Sequence, residues 1–166
     1  MIFRGKEKHM SRATPATAAL DKAGIPFTVI EYDYDPDAGQ TGNHAAASIG
    51  EDPARVFKTL MVLVDGRPAC VVVPVAATLS MKKVAAAFGG KSAEMMPPPH
   101  AERSTGFRVG GISPFGQRKR VRTALAQEAL AQPYVVINGG KRGYLVRLAA
   151  TDAVSATGAI TADMLA

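Results

Sequence analysis

Apolar residues along this chain fall in short blocks punctuated by glycine, proline and aspartate. The two longest blocks are 56–64 and 68–75, with Asp65-Gly66 between them. Asp-Gly between two apolar runs is a tight-turn signal, so the pair reads as a β-hairpin. Both runs are too continuously apolar for a strand with one wet face. They imply burial on both sides, as in a barrel or a covered sheet.

The remaining blocks are shorter. Thr14-Pro15 pairs a helix N-cap with proline at the first helical position, predicting a helix over 16–23 that stops at Gly24. Residues 25–32 read as a strand carrying Phe27, Val29 and Ile30. The Asp/Gly/Pro-rich segment 33–43 reads as a loop, 44–49 as a brief helix ended by Gly50, and 51–54 as a turn. Ser80 caps a helix over 81–88 closed by Gly89-Gly90, 91–95 is a weak strand, and 97–103 is short helical or irregular chain. The alanine-rich run 123–131 reads as a helix. Residues 134–137 and 144–148 read as strands on either side of a glycine-rich turn at 138–143. A terminal helix is expected over 151–157. No repeat and no linker divides the chain.

Composition adds limits. The chain has 166 residues, 47% of them hydrophobic and 20% charged, which suits one folded domain with a sizeable core. Aromatics make up 6% and tryptophan is absent, which argues against a platform of stacked bases. A net charge of +6 suits an anionic partner, or simply solubility. The single cysteine, Cys70, excludes an internal disulfide and a multi-cysteine zinc site, and its apolar strand context marks it as a core filler. No segment has the length and apolarity of a membrane span, and 1–12 has no signal-peptide core. That segment reads as a flexible extension, with Met10 a candidate start, and the whole reads as cytoplasmic.

Three features carry candidate chemistry. The stretch 104–117 holds glycines at 106, 110, 111 and 116, with Ser104, Thr105, Ser113 and Pro114 among them. It reads either as a surface turn or as a loop whose N–H groups converge on an anion or a polarised carbonyl. The basic run Arg118-Lys119-Arg120 follows it. Lys58 shares a strand face with Val56, Leu60, Val62 and Val64. An ammonium there either snorkels to water or meets an anionic ligand. Asn138-Gly139-Gly140-Lys141-Arg142-Gly143 reads as a hairpin turn, or, with Arg118 to Arg120, as part of a phosphate-binding rim. His9, His44 and His100 are scattered and expected in solvent. No nucleophile elbow, Walker loop, zinc motif or other cofactor motif is present, so neither metal nor cofactor is expected.

Phe57-Lys58-Thr59-Leu60, the blocks 103–107 and 109–116, and Gly139-Gly140-Lys141-Arg142-Gly143, in that order, resemble the YbaK/EbsC-type aminoacyl-tRNA deacylases. These are relatives of the editing domain inserted in bacterial prolyl-tRNA synthetases. The resemblance implies a single compact α/β domain over 13–166, built on a mixed, barrel-like sheet surrounded by short helices. It implies removal of a wrongly attached amino acid, above all cysteine, from the acceptor end of tRNA for proline. Lys58 matches the family's strand lysine, which engages the terminal adenosine and phosphate. Gly110, Gly111, Ile112, Ser113 and Pro114 match the loop whose amides hold the aminoacyl carbonyl. Tyr32, Phe57, Thr59, Ser104, Thr105, Gly139, Gly140, Lys141 and Arg142 are the matching substrate-binding positions. In cysteine-specific members the substrate thiol is the nucleophile, in keeping with the missing protein nucleophile. Those members carry Asp where this chain has Leu145, which leaves alanine or another small amino acid open as substrate. A non-catalytic tRNA- or nucleotide-binding module is the remaining alternative. Prolyl-tRNA synthetase is the candidate protein partner, and monomer and weak homodimer are both open.

Overall fold

The computed structural model describes residues 13–35 and 41–166. The expected N-terminal extension, with His9 and Met10, lies outside the described residues, as does 36–40 of the expected loop.

The hairpin forms where the apolar blocks place it. Strand β2 is Val56–Val64 and β3 is Arg67–Pro74, antiparallel with Lys58 opposite Val73. Asp65 and Gly66 take positive φ, 50° and 81°, as a turn matching the strands' twist requires. Around this pair the sheet grows to eight strands among the described residues. The other six are β1 (Thr28–Glu31), β4 (Ala93–Met95), β5 (Arg122–Ala126), β6 (Val135–Lys141), β7 (Tyr144–Leu148) and β8 (Ile160–Ala162). The order is β1-β7-β6-β2-β3-β5-β8, with β4 beside β2. The sheet is mixed: β2–β6, β3–β5 and β5–β8 are parallel, and the other pairs antiparallel.

Among the described residues five short helices cover it: α1 (Pro15–Lys22), α2 (Thr41–Ile49), α3 (Met81–Ala87), α4 (Pro98–Thr105) and α5 (Ala150–Thr157). Thr14 caps α1 by accepting from the Thr17 N–H, and Ser80 caps α3 through the Lys83 N–H. The core joins Ala16 and Leu20 of α1 to Phe57, Val62, Val71 and Val73 of the hairpin and Val135, Ile137 and Val146 of the β6–β7 pair. Beyond α2, Glu51 accepts from the Tyr134 hydroxyl at 2.9 Å and pairs with Arg147 at 3.3 Å. The Arg147 guanidinium also covers the Tyr134 ring at 4.3 Å. This cluster fixes the end of α2 against β6 and β7.

The alanine-rich run 123–131 departs from expectation. It forms β5 and then a 3-10 turn, Gln127–Ala131. Residues 123–126 are all buried between β3 and β8, so two parallel ladders outweigh the helical preference of alanine. β8 carries no recognisable pattern of its own, because it is a three-residue strand at the sheet edge, paired with β5 alone, and two of its three residues are exposed. β6 runs on through Gly139, Gly140 and Lys141 across a register shift, leaving Arg142-Gly143 as the turn. Helix α2 begins at Thr41, inside the expected loop, and α4 extends to Thr105, inside the glycine stretch.

Gly116 pins the far end of that stretch to α1. It has φ +69°, and a Cβ there would overlap the Pro15 carbonyl. Gly66, by contrast, has φ +81° and open space around it. Gly116→Ala should therefore lower the unfolding free energy by about 3 kcal/mol, against about 1 kcal/mol for Gly66→Ala. Urea unfolding of the two variants checks this; equal losses would contradict the close packing of the loop on α1.

Candidate active site

The first six residues of β2 form the floor of a cavity of about 360 Å³. Its wall is built by Tyr32 and Tyr34 after β1, Ala45 of α2, Pro98 and Ala101 of α4, Gly110 and Ile112 of the glycine loop, and Asn138 of β6. Lys58, expected on an apolar strand face, and the glycine loop thus share one cleft. The lining is mostly apolar, with Leu60, Met61, Val75, Met95 and Met96 contributing.

Lys58 donates to the Ala77 carbonyl at 3.0 Å. No carboxylate among the described residues pairs with it. Burial therefore holds the ammonium below the usual lysine range. An ammonium has three donors, so two remain for a ligand. Next to it, the Thr59 hydroxyl is buried with no partner among the described residues. Tyr32 packs edge-on against His44, with ring centroids 5.8 Å apart, and burial raises its phenol above the usual range, as does Tyr34 beside it. His44 is half-buried, its ring nitrogen 3.3 Å from the Asp33 carbonyl, and His100 is half-buried too; neither stands in solvent as expected.

The glycine loop is held from outside by side chains. Asn138 donates to the Gly110 carbonyl at 3.3 Å and the Lys141 carbonyl at 3.1 Å, and its oxygen accepts from Gly140 at 2.6 Å. Arg142 donates to the Val109 carbonyl at 3.0 Å and lies over the Tyr34 ring. Gln117 donates to the Ser113 carbonyl at 3.0 Å. Three loop carbonyls are thereby occupied. The Val109, Gly111 and Phe115 N–H groups bond to Glu102, Arg108 and Ser113. Those of Gly110, Ile112 and Ser113 have no acceptor among the described residues. Ser113 is fully buried, where an unmet N–H is costly. Gly110 is needed as glycine: it has φ +92°, and a Cβ would sit 2.8 Å from the Tyr34 hydroxyl.

The expected site residues therefore divide. Lys58, Gly110, Ile112, Tyr32, Phe57 and Thr59 line the cavity. Arg142 and Lys141 stand behind it, stacked on Tyr34 and Tyr144. Gly111, whose added Cβ would meet the Lys141 and Arg142 backbone, and Ser113 are buried in the loop. Gly139 and Gly140 are packing positions, against Tyr144 and against Thr14 and Phe107. Ser104 and Thr105 are buried in the last turn of α4, where the Thr105 hydroxyl donates to the Ala101 carbonyl at 2.8 Å. Pro114 faces a second cavity with Gly116, Gln117 and Arg120. Arg120 thus lies apart from Lys141 and Arg142, so of the two readings of the 138–143 segment the one that joins it to Arg120 in a single rim is not met. Tyr34 was not singled out by the sequence, although spacing puts it on the same side of an extended segment as Tyr32, and Asn138 was read only as the start of a glycine turn. Asn before Gly-Gly is also a residue suited to bonding its own backbone.

Cys70 is fully buried, and burial pushes its thiol up to about 12, as suits a core filler. Among the described residues no group of three metal-ligating side chains occurs, and no helix is long and apolar enough to cross a membrane.

The family profile described as the aminoacyl-tRNA editing domain matches residues 37–155. An Enterococcus faecalis protein, EbsC, which carries a provisional assignment as a Cys-tRNA(Pro)/Cys-tRNA(Cys) deacylase, is 32% identical over 152 residues. The match covers 91% of this chain and 92% of that protein. A solved structure described as a provisional trans-editing enzyme for prolyl tRNA synthetase superposes with a TM-score of 0.81 at 25% identity, covering 92% of this chain and 95% of the other. The structure of the hypothetical protein APE2540 gives 0.80 at 23% identity, covering 92% and 99%, a likeness of fold.

The lysine's environment sets a stability signature. Lys58 binds its proton more weakly folded than unfolded, so between its folded value and the ordinary lysine value the unfolded chain holds more protons. Stability contributed by this site therefore rises with pH across that window. Lys58→Met should raise Tm at pH 7, and its advantage over the parent should shrink as pH approaches the lysine range. A Tm loss at pH 7 would contradict a desolvated ammonium.

Proposed function

Because this chain belongs to the aminoacyl-tRNA editing-domain family, we propose that it removes mischarged cysteine from tRNA for proline, acting in trans. The observation that carries this reading is the shared cavity: a desolvated, largely unpaired ammonium and a glycine loop with unmet N–H groups meet in one apolar cleft. An aminoacyl ester is already an activated acyl group. Catalysis then needs placement of the ester and stabilisation of its carbonyl oxygen as charge develops. The Gly110 and Ile112 amides suit that oxygen, and Lys58 suits the terminal adenosine and phosphate. The cysteine thiol attacks its own ester carbonyl. A carbon–sulfur bond forms, the carbon–oxygen bond to the ribose breaks, and the thiol proton ends on the ribose oxygen. Asn138, Arg142 and Gln117 act as positioning residues by holding loop carbonyls back. The editing domain occupies 13–166 of a cytoplasmic protein, monomeric or weakly dimeric, with prolyl-tRNA synthetase as its candidate partner.

A second reading is favoured by one residue. Leu145 is buried and lines the cavity beside Ala45, Val56 and Val75. An apolar end of this kind separates alanine from cysteine by only about 1–3 kcal/mol, too little to exclude alanine as a substrate.

A panel of tRNA(Pro) charged with Cys, Ala, Ser and Pro separates these readings. The parent should deacylate the Cys ester and spare the Pro ester, and Lys58→Ala should lower kcat/KM by about 100-fold or more. Equal rates on Ser and Cys esters would contradict the thiol step, and binding without turnover of any ester would contradict an enzyme. Two loop variants probe the carbonyl site. Gly110→Val should lose turnover, whereas Asn138→Ala should lower kcat about ten-fold with KM within about two-fold. An unchanged kcat in both would remove the loop from the reaction.

A further inference from the structure

We propose that the exposed cations Arg103, Arg108, Arg118 and Lys119 form a ridge that binds the phosphodiester backbone of duplex RNA next to the aminoacylated end. This rests on the reading of the substrate as an aminoacyl-tRNA. Two backbone bonds build the ridge: the Arg118 N–H donates to the Thr105 carbonyl at 2.8 Å and the Lys119 N–H to the Ser104 carbonyl at 3.1 Å. The segment after the glycine loop is thus tied along the last turn of α4, which brings its cations beside Arg103. The Arg118 guanidinium donates to the Arg103 carbonyl at 3.5 Å and lies across Gly106, where an added Cβ would be 3.4 Å from its Nε.

All four cations are exposed, and none forms an ion pair among the described residues. The nearby carboxylate, Glu102, accepts from the Val109 N–H at 2.9 Å. A run of uncompensated like charges suits an anionic partner. The kind of anion follows from what the ridge lacks. Phe107 and Phe115, the aromatic residues of the segment, are buried at 4% and 2% exposure. Charge without an exposed ring to stack on suits a duplex backbone rather than unpaired bases.

Placement agrees. Ala101 of α4 lines the cavity, and Arg103 lies roughly 200° further round the helix, on its outer side. About one helix diameter, ~10 Å, separates cleft from ridge, a span that a few unpaired nucleotides bridge. Arg108 joins the two, since Val109 and Gly110 after it line the cavity. Arg120 is not part of the ridge: its guanidinium lies against Gly158 at the end of α5.

The test compares R103Q/R108Q/K119Q with a charge-matched control, R67Q/K82Q/K91Q, near the hairpin turn and α3. Each acts on full-length Cys-tRNA(Pro) and on the cysteinyl ester of a CCA trinucleotide. The ridge variant should raise KM for the full tRNA about ten-fold with kcat unchanged, and flatten the slope of log(kcat/KM) against log salt by roughly 2. The control, and the trinucleotide with either variant, should behave as the parent does. Equal losses on the trinucleotide, equal losses in the control, or an unchanged KM for the tRNA would overturn the ridge. If the parent itself cleaves neither ester, the enzymatic reading fails, and salt-dependent binding of uncharged tRNA decides the ridge by the same slope difference. Unchanged tRNA affinity with lost binding to prolyl-tRNA synthetase would make it a protein-docking surface and overturn the proposal.

Discussion

A positive charge kept in an apolar cleft is the constraint around which this structure is arranged. Lys58 stands on a central strand whose neighbours Val56, Phe57, Met61 and Val62 are almost entirely buried. One backbone carbonyl is its only hydrogen-bond partner among the described residues. Such a group costs stability unless an anion arrives, a cost that suits the ligand-binding role proposed for it. β3 fixes the strand on one side, while β6 and β4 fix it on the other, so the lysine's position is set by the sheet rather than by a loop.

The opposite wall is a loop, and its order comes from side chains of other elements. Asn138, Arg142 and Gln117 bond to the carbonyls of Gly110, Val109 and Ser113. Gly116 is wedged against α1, and Gly111 leaves no room for a side chain beside Lys141 and Arg142. Donors fixed in advance of reaction need not reorganise when charge develops, which is where backbone amides gain their catalytic value. The hairpin that carries Lys141 and Arg142 therefore braces the loop that walls the cleft. It acts on the cleft through the loop, while Tyr34 links the two by lying under Arg142.

Legibility in the sequence followed the physics of each element. The β2–β3 hairpin, the Thr14 and Ser80 caps and the core role of Cys70 were readable because local chemistry alone determines them. β5 was not: residues 123–126 favour a helix locally, and only the flanking strands β3 and β8, distant in sequence, make them a strand. Lys58 and the glycine loop stood out in the sequence because a charge in an apolar run and repeated glycines are both unusual, and Lys58, Gly110 and Ile112 line one cavity. Ser104 and Thr105 looked like part of the same loop by composition, yet helix α4 continues through them and buries them. The bracing contacts of Asn138 with Gly110 and of Tyr34 with Arg142 were not legible, because no spacing rule announces them.

The central claim is that Lys58 and the loop amides grip one aminoacyl end together. A crystal structure with a non-hydrolysable amide analogue of a 3′-aminoacyl adenosine tests it most directly. The account predicts the analogue's carbonyl oxygen within hydrogen-bond distance of the Gly110 or Ile112 N–H, with Lys58 Nζ turned to the adenosine or its phosphate. An analogue seated outside this cleft, or bound within it while touching neither Lys58 nor the loop amides, would contradict it.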